Sequence, residues 1–143
     1  RRVLFRSDIN CDFLIIDDSK ATNPDAAIKA LESQEKPVVL IAGGQDRNAD
    51  FKKFSKMINK KVKALILIGE TSEKIKNEMI NIGFNNIYLV NNMKEAIKKA
   101  MQKIKNGDCL LLSPGCPSWD MYSSYKERGN IFQKEINRYI KKS

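Results

Sequence analysis

Five short apolar runs punctuate the chain: Phe13–Ile16, Val38–Ile41, Ala64–Ile68, Ile87–Val90 and Cys109–Leu112. Their side chains are mostly β-branched or leucine, and the runs are continuous rather than alternating. A strand covered on both faces has no polar side, so such runs indicate a parallel sheet with helices above and below. Between them, apolar residues recur every three or four positions. Asn23 is placed to cap a helix with Pro24 at its first position and Ala26, Ala27, Ala30 and Leu31 facing inward. A second helix starts near Asp50 and carries a stripe of Phe51, Phe54 and Ile58. The third, opened by Thr71 or Ser72, turns Ile75, Met79 and Ile82 inward and stops at Gly83. A fourth runs from about Met93 through Ala96, Ile97, Ala100, Met101 and Ile104 to Gly107. The last, Ile131–Ile140, sets Phe132, Ile136, Tyr139 and Ile140 on one side. Strand and helix alternate five times. The pattern predicts an α/β fold: a three-layer Rossmann-like sandwich with a mostly parallel sheet of five to six strands, helices on both faces and right-handed crossovers.

Composition narrows the chemistry. The chain has 143 residues, enough for one domain with its own core, and residues 9–143 are read as that domain. Residues 1–8 (RRVLFRSD) hold too short an apolar stretch for a signal peptide and are set aside as a terminal extension. With 26 Lys and Arg against 17 Asp and Glu, the net charge of +9 favours anionic ligands. Most of those cations fall in Lys-rich helices, as on solvated helix faces, and no aromatic-interleaved basic run accompanies them, so no nucleic-acid partner is expected. There is no histidine, and Cys11, Cys109 and Cys116 form no CxxC pair, which argues against imidazole catalysis and a structural zinc. Cys109, inside an apolar run, reads as a small buried hydrophobe. No stretch approaches the ~20 apolar residues of a membrane span, so a cytoplasmic protein without a membrane partner is expected.

In such a sheet, ligands bind beyond the carboxyl ends of the strands. Three strand ends carry unusual loops: Asp17-Asp18-Ser19-Lys20-Ala21-Thr22-Asn23, then AGGQDRNADF at 42–51, then LSPGCPSWDMYSSYKERGNIF at 112–132. The loops after Ile68 (GETSEK) and Val90 (NNM) read as ordinary caps. Each feature alone has a plain structural reading. Two acids can cap a turn, a glycine pair can mark one, the prolines can merely stiffen a loop, and Trp119 can anchor a core as well as face a ligand. Their coincidence points to a ligand site. A receiver-type phosphate acceptor would need an Asp after the third strand and a Lys after the fifth; the chain has Gly69-Glu70 and Ser113-Pro114 there, and that reading fails.

In order and spacing, DDSKATNPDAA, AGGQDRNADF and LLLSPGCPSWDMYSSYKERGNIF resemble the C-terminal domain of the Mur ligases, in the branch that adds D-glutamate to UDP-N-acetylmuramoyl-L-alanine. The resemblance covers about residues 10–142; Gly115 and Pro117 depart from it, standing where the family usually has alanines. It implies an ATP-dependent amide ligase of peptidoglycan synthesis, with ATP and Mg2+ held mainly by a central domain. On this resemblance Lys20 serves the transferring phosphate as the catalytic residue. Asp18, Lys20 and Asn23 face the nucleotide, and Thr22, Arg47, Ser118 and Tyr125 face D-glutamate. The residue types suit those tasks. An ammonium stabilises developing phosphoryl charge, a guanidinium grips a carboxylate through two parallel bonds, and hydroxyls donate to carboxylates. No G-x-x-x-x-G-K-[ST] phosphate loop occurs, so a detached or truncated domain, a monomer inactive alone, is expected. The rival reading is a stand-alone Rossmann-like module that binds an anionic nucleotide or amino acid without catalysis.

Overall fold

The computed structural model describes residues 2–8, 11–118 and 123–142. The continuous apolar runs become strands: β2 (Cys11–Asp17), β3 (Val38–Ala42), β4 (Val62–Ile68), β5 (Ile87–Val90) and β6 (Cys109–Leu112), preceded by β1 (Arg2–Asp8). They form one six-stranded sheet in the order β1-β2-β6-β3-β4-β5. All neighbours are parallel except β1, which runs antiparallel to β2 with Val3 opposite Ile16 and Phe5 opposite Leu14. Residues 2–8, set aside above as an extension, thus take a place at the sheet edge. An antiparallel edge strand does not need the long apolar run of a strand buried on both faces, which is why periodicity passed over it.

Alternate residues of each strand feed two separate cores. Val38, Leu40, Ala42, Leu65, Leu67 and Leu111 pack on one face beneath α1 (Pro24–Glu32), α2 (Lys52–Lys61) and α3 (Ser72–Asn81). Val39, Ile41, Ala64, Ile66, Leu110 and Leu112 face α4 (Met93–Lys103) and α5 (Tyr125–Lys142) on the other. The expected three-layer sandwich is the observed one. The α2 stripe of Phe51, Phe54 and Ile58 is buried, as are Ile75 and Met79 of α3. Ile82, expected in that stripe, is 40% exposed because it is the residue that ends α3 rather than one inside it. Tyr139 likewise lies at the rim of its face, 37% exposed.

Helix starts follow local chemistry. Asn23 Oδ1 accepts the Ala26 N–H at 2.9 Å with Pro24 behind it, and Asn92 Oδ1 accepts the Glu95 N–H at 2.9 Å. The last helix begins six residues earlier than expected, at Tyr125. The Ser124-x-x-Glu127 box explains the difference: the Glu127 N–H donates to Ser124 Oγ, and the Glu127 carboxylate accepts the Ser123 N–H at 3.0 Å and the Ser123 hydroxyl. Those two bonds, the hydroxyl's first, hold the Glu127 carboxyl below the usual carboxylate range.

Candidate functional site

The strand order makes the three polar loops neighbours, because β6 sits between β2 and β3. Hydrogen bonds then knit them together at the carboxyl edge. From the first loop to the third, the Asp18 N–H donates to Leu112 O at 2.8 Å, Ser113 Oγ donates to Asp18 Oδ2 at 3.0 Å, and the Gly115 N–H donates to Ala21 O at 2.8 Å. From the second to the third, the Gly43 N–H reaches Pro114 O at 2.9 Å and the Gln45 N–H reaches Pro117 O at 2.7 Å. The glycine pair permits this approach. A Cβ on Gly44 would lie 2.3 Å from Pro117 O and 3.0 Å from Cys116 Cβ.

The residues expected to serve a nucleotide or D-glutamate occupy distinct positions around this edge. Asp18 is half-buried, with one carboxylate oxygen engaged by Ser113. Lys20 is exposed and lines an open concavity of about 350 Å³ with Tyr125, Lys126, Asp17, Gln133 and Asn130. Thr22 is half-buried, and its N–H closes a turn onto Lys20 O at 2.8 Å. Asn23 spends its side chain capping α1 and faces a different concavity, shared with Ala49, Asp50 and Lys53. Arg47 projects from the second loop, exposed, with its Nε–H donating to Gln45 Oε1 at 3.2 Å. Ser118 is only 1% exposed, yet its hydroxyl has no hydrogen-bond partner among the described residues. A buried hydroxyl ordinarily has a hydrogen-bond partner, and the residues that follow Ser118 lie outside the described ones. Lys20 and Tyr125 therefore share one concavity; neither that concavity nor the one at Asn23 includes Arg47 or Ser118. Trp119 lies outside the described residues.

Three participants carry no ligand role in the sequence reading, although Asp17 and Arg128 lie within two of its three loops. Asp17, at the end of β2, is 8% exposed and accepts from the Ser19 N–H at 3.0 Å and from Gln133 Nε2 at 2.7 Å, which ties the first loop to α5. Arg128, in the first turn of α5, is 2% exposed and donates from Nη2 to Ser19 O at 3.2 Å. Thr71 belongs to a loop read as an ordinary cap, but its hydroxyl does not cap α3; it accepts the Gly44 N–H at 3.0 Å. The signals available were the Ser-x-x-Glu box for α5 and, through it, the position of Arg128 one helical turn before buried Phe132. No local pattern marks Thr71, whose partner is 27 residues away.

Among the described residues no group of three or more Cys, Asp or Glu gathers in a way that could hold a metal ion. Among them, too, no helix is long and apolar enough to cross a membrane.

Comparison with known proteins fits this arrangement. A solved UDP-N-acetylmuramate-alanine ligase from Thermotoga maritima superposes with a TM-score of 0.63 at 15% identity, over 96% of this chain and 29% of that one, a likeness of fold. In sequence, the chain is 44% identical over 139 residues to the UDP-N-acetylmuramoylalanine-D-glutamate ligase of Caldicellulosiruptor bescii, covering 97% of this chain and 30% of that protein. It is 46% identical over 129 residues to the ligase of the same name from Clostridioides difficile, covering 90% and 29%. The chain thus spans about 30% of the length of the curated relatives it matches. The family description "Mur ligase, glutamate ligase domain" matches residues 1–116. A three-layer sheet with its polar loops gathered at one edge, and sequence identity along nearly its whole length, place the chain in the Mur ligase family, in the glutamate ligase domain.

Proposed function

We propose that the chain is the D-glutamate-binding, C-terminal part of an ATP-dependent ligase that joins D-glutamate to UDP-N-acetylmuramoyl-L-alanine in the cytoplasm. In that reaction ATP phosphorylates the alanine carboxylate, the amine of D-glutamate attacks the acyl phosphate, and phosphate leaves. The observation that carries the reading is the edge at which the three polar loops, bearing Lys20, Arg47 and Ser118, are hydrogen-bonded together. Thr22 and Ser118 would donate to the glutamate carboxylates, Arg47 would grip one of them from the exposed side of the second loop, and Tyr125 would wall the pocket. Lys20, exposed in its concavity, is the cation for the transferring phosphate, while Asp18 and Asn23 serve the nucleotide. ATP supplies the phosphoryl group, and Mg2+ and most of the nucleotide contacts fall to residues outside this chain. The chain by itself is a monomer without turnover, because orientation depends on closure against other domains.

A titration of the 15N-labelled chain with D-glutamate tests this. Amide shifts centred on Thr22, Arg47 and Ser118, weak in affinity and smaller for L-glutamate, are expected. Shifts absent from all three loops, or ATP-dependent coupling of D-glutamate by this chain alone, would overturn the reading.

A further inference from the structure

Thr71 stands at the start of α3, where a threonine hydroxyl normally accepts a helix N–H. Here it makes no such bond. The side chain is fully buried, and Oγ1 accepts the Gly44 N–H at 3.0 Å while the Thr71 N–H donates back to Gly44 O at 3.1 Å. The same oxygen lies 3.4 Å from Cys116 Sγ in the third loop, also buried. One hydroxyl from the end of β4 therefore touches both loops that carry Arg47 and Ser118. We infer that Thr71 is a positioning residue of the site: its hydroxyl fixes the backbone at Gly44 against the Cys116 turn, and so sets the spacing between Arg47 and Ser118.

Alternatives to this role are weaker physically. Were Thr71 simply core, a valine would serve as well, since it has the same shape without the need for a partner. Were it simply a cap, its oxygen would be bonded to α3. The bond to Gly44 matters because that residue leaves no room for slack: its N–H and O are both spent on Thr71, and Pro117 O follows at once through Gln45. Removing the hydroxyl leaves the Gly44 N–H buried and unpaired, which the loop can relieve only by moving outward.

The role in ligand binding rests on the D-glutamate reading above; the role in holding the loops does not. Two readouts keep them apart. In the ligand-free chain, Thr71→Val should speed amide exchange at Gly44 and Gln45 by about tenfold, the worth of one buried hydrogen bond, with Leu65–Ile68 and Leu110–Leu112 changed far less. Thr71→Ser, which keeps the oxygen, should restore near-parental exchange. Under D-glutamate titration the valine variant should bind about tenfold more weakly and the serine variant nearly as the parent. Thr71→Ala, which also removes the γ-methyl, is read in the same way should the valine variant not fold. Unchanged exchange at Gly44, exchange that rises uniformly through β3, β4 and β6, or failure of both the valine and alanine variants to fold would overturn the proposal. If the parent chain shows no response to D-glutamate, the function reading falls, and the exchange data alone decide whether Thr71 holds the loops.

Discussion

Replacing Gly44 by alanine tests the claim that the loops meet at this point. The backbone there has φ +154°, and a Cβ would fall 2.3 Å from Pro117 O, 3.0 Å from Cys116 Cβ and 3.1 Å from Arg128 Nη1. An ordinary carbon-oxygen contact is about 3.3 Å, so Pro117 or Gly44 must retreat by roughly 1 Å. Neither moves freely, because the Gln45 N–H holds Pro117 O and Thr71 holds Gly44. Overpacking of this kind costs about 1–3 kcal/mol, and the positive φ adds about 1–2 kcal/mol for a residue with a side chain. A total of about 3–4 kcal/mol, with roughly 3 °C lost per kcal/mol for a chain of this size, lowers the melting temperature by about 10 °C. Gly83 supplies the control: it has φ +89° and nothing within 4 Å of the point where a methyl would stand, so Gly83→Ala suffers the backbone cost alone and loses about 3–6 °C. The assay is thermal unfolding of both variants followed by circular dichroism in the same buffer. If Gly44→Ala melts within about 2 °C of Gly83→Ala, the close approach of the second and third loops is not as described, and the site built on it fails too.

Two further outcomes follow from local geometry. Asn23→Ala removes the acceptor for the Ala26 N–H and should cost about 1 kcal/mol, read as a lower urea midpoint with an unchanged slope; no loss would mean that Pro24 alone starts α1. The Glu127 carboxyl, held low by its two bonds from Ser123, should titrate below an ordinary glutamate in NMR, and Ser123→Ala should move its midpoint up. Because the folded pKa is the lower one, this contribution to stability is present above the unfolded pKa and is lost as pH falls through the folded value. A midpoint that Ser123→Ala leaves in place would refute the assignment.

How much of this was legible depended on whether the cause was local. The two cores were readable because each central strand is apolar on both faces and each helix carries a stripe, so Val39, Leu40, Phe54 and Ile97 announce themselves by spacing. The first loop was readable from Asn23-Pro24 and the acids before it. Arg128 was not, since a charged residue ordinarily reads as surface, and only the tertiary fold shows its guanidinium buried against Ser19 O. Asp17 looked like one of two interchangeable acids. The structure separates them: Asp17 is bonded to α5 through Gln133, and Asp18 to the third loop through Ser113. Strand β1 lacked the apolar run that marked the others.

The third loop is the part on which the other two depend. Its bonds run to the first loop through Ser113 and Gly115, and to the second through Pro114 and Pro117. Both prolines act through their carbonyls, the only backbone hydrogen-bonding group a proline has, and their fixed φ angles hold those acceptors in place with no N–H of their own to satisfy. This division of labour suits a segment wedged between two neighbours, where an extra N–H would be buried and hard to pair. It also follows from topology. Strands β2 and β3 follow one another along the chain but are not neighbours in the sheet, so their loops acquire a common edge only when β6, the last strand, is threaded between them. The contacts that join the three loops are therefore long-range. A substitution in the third loop therefore reaches both of its neighbours.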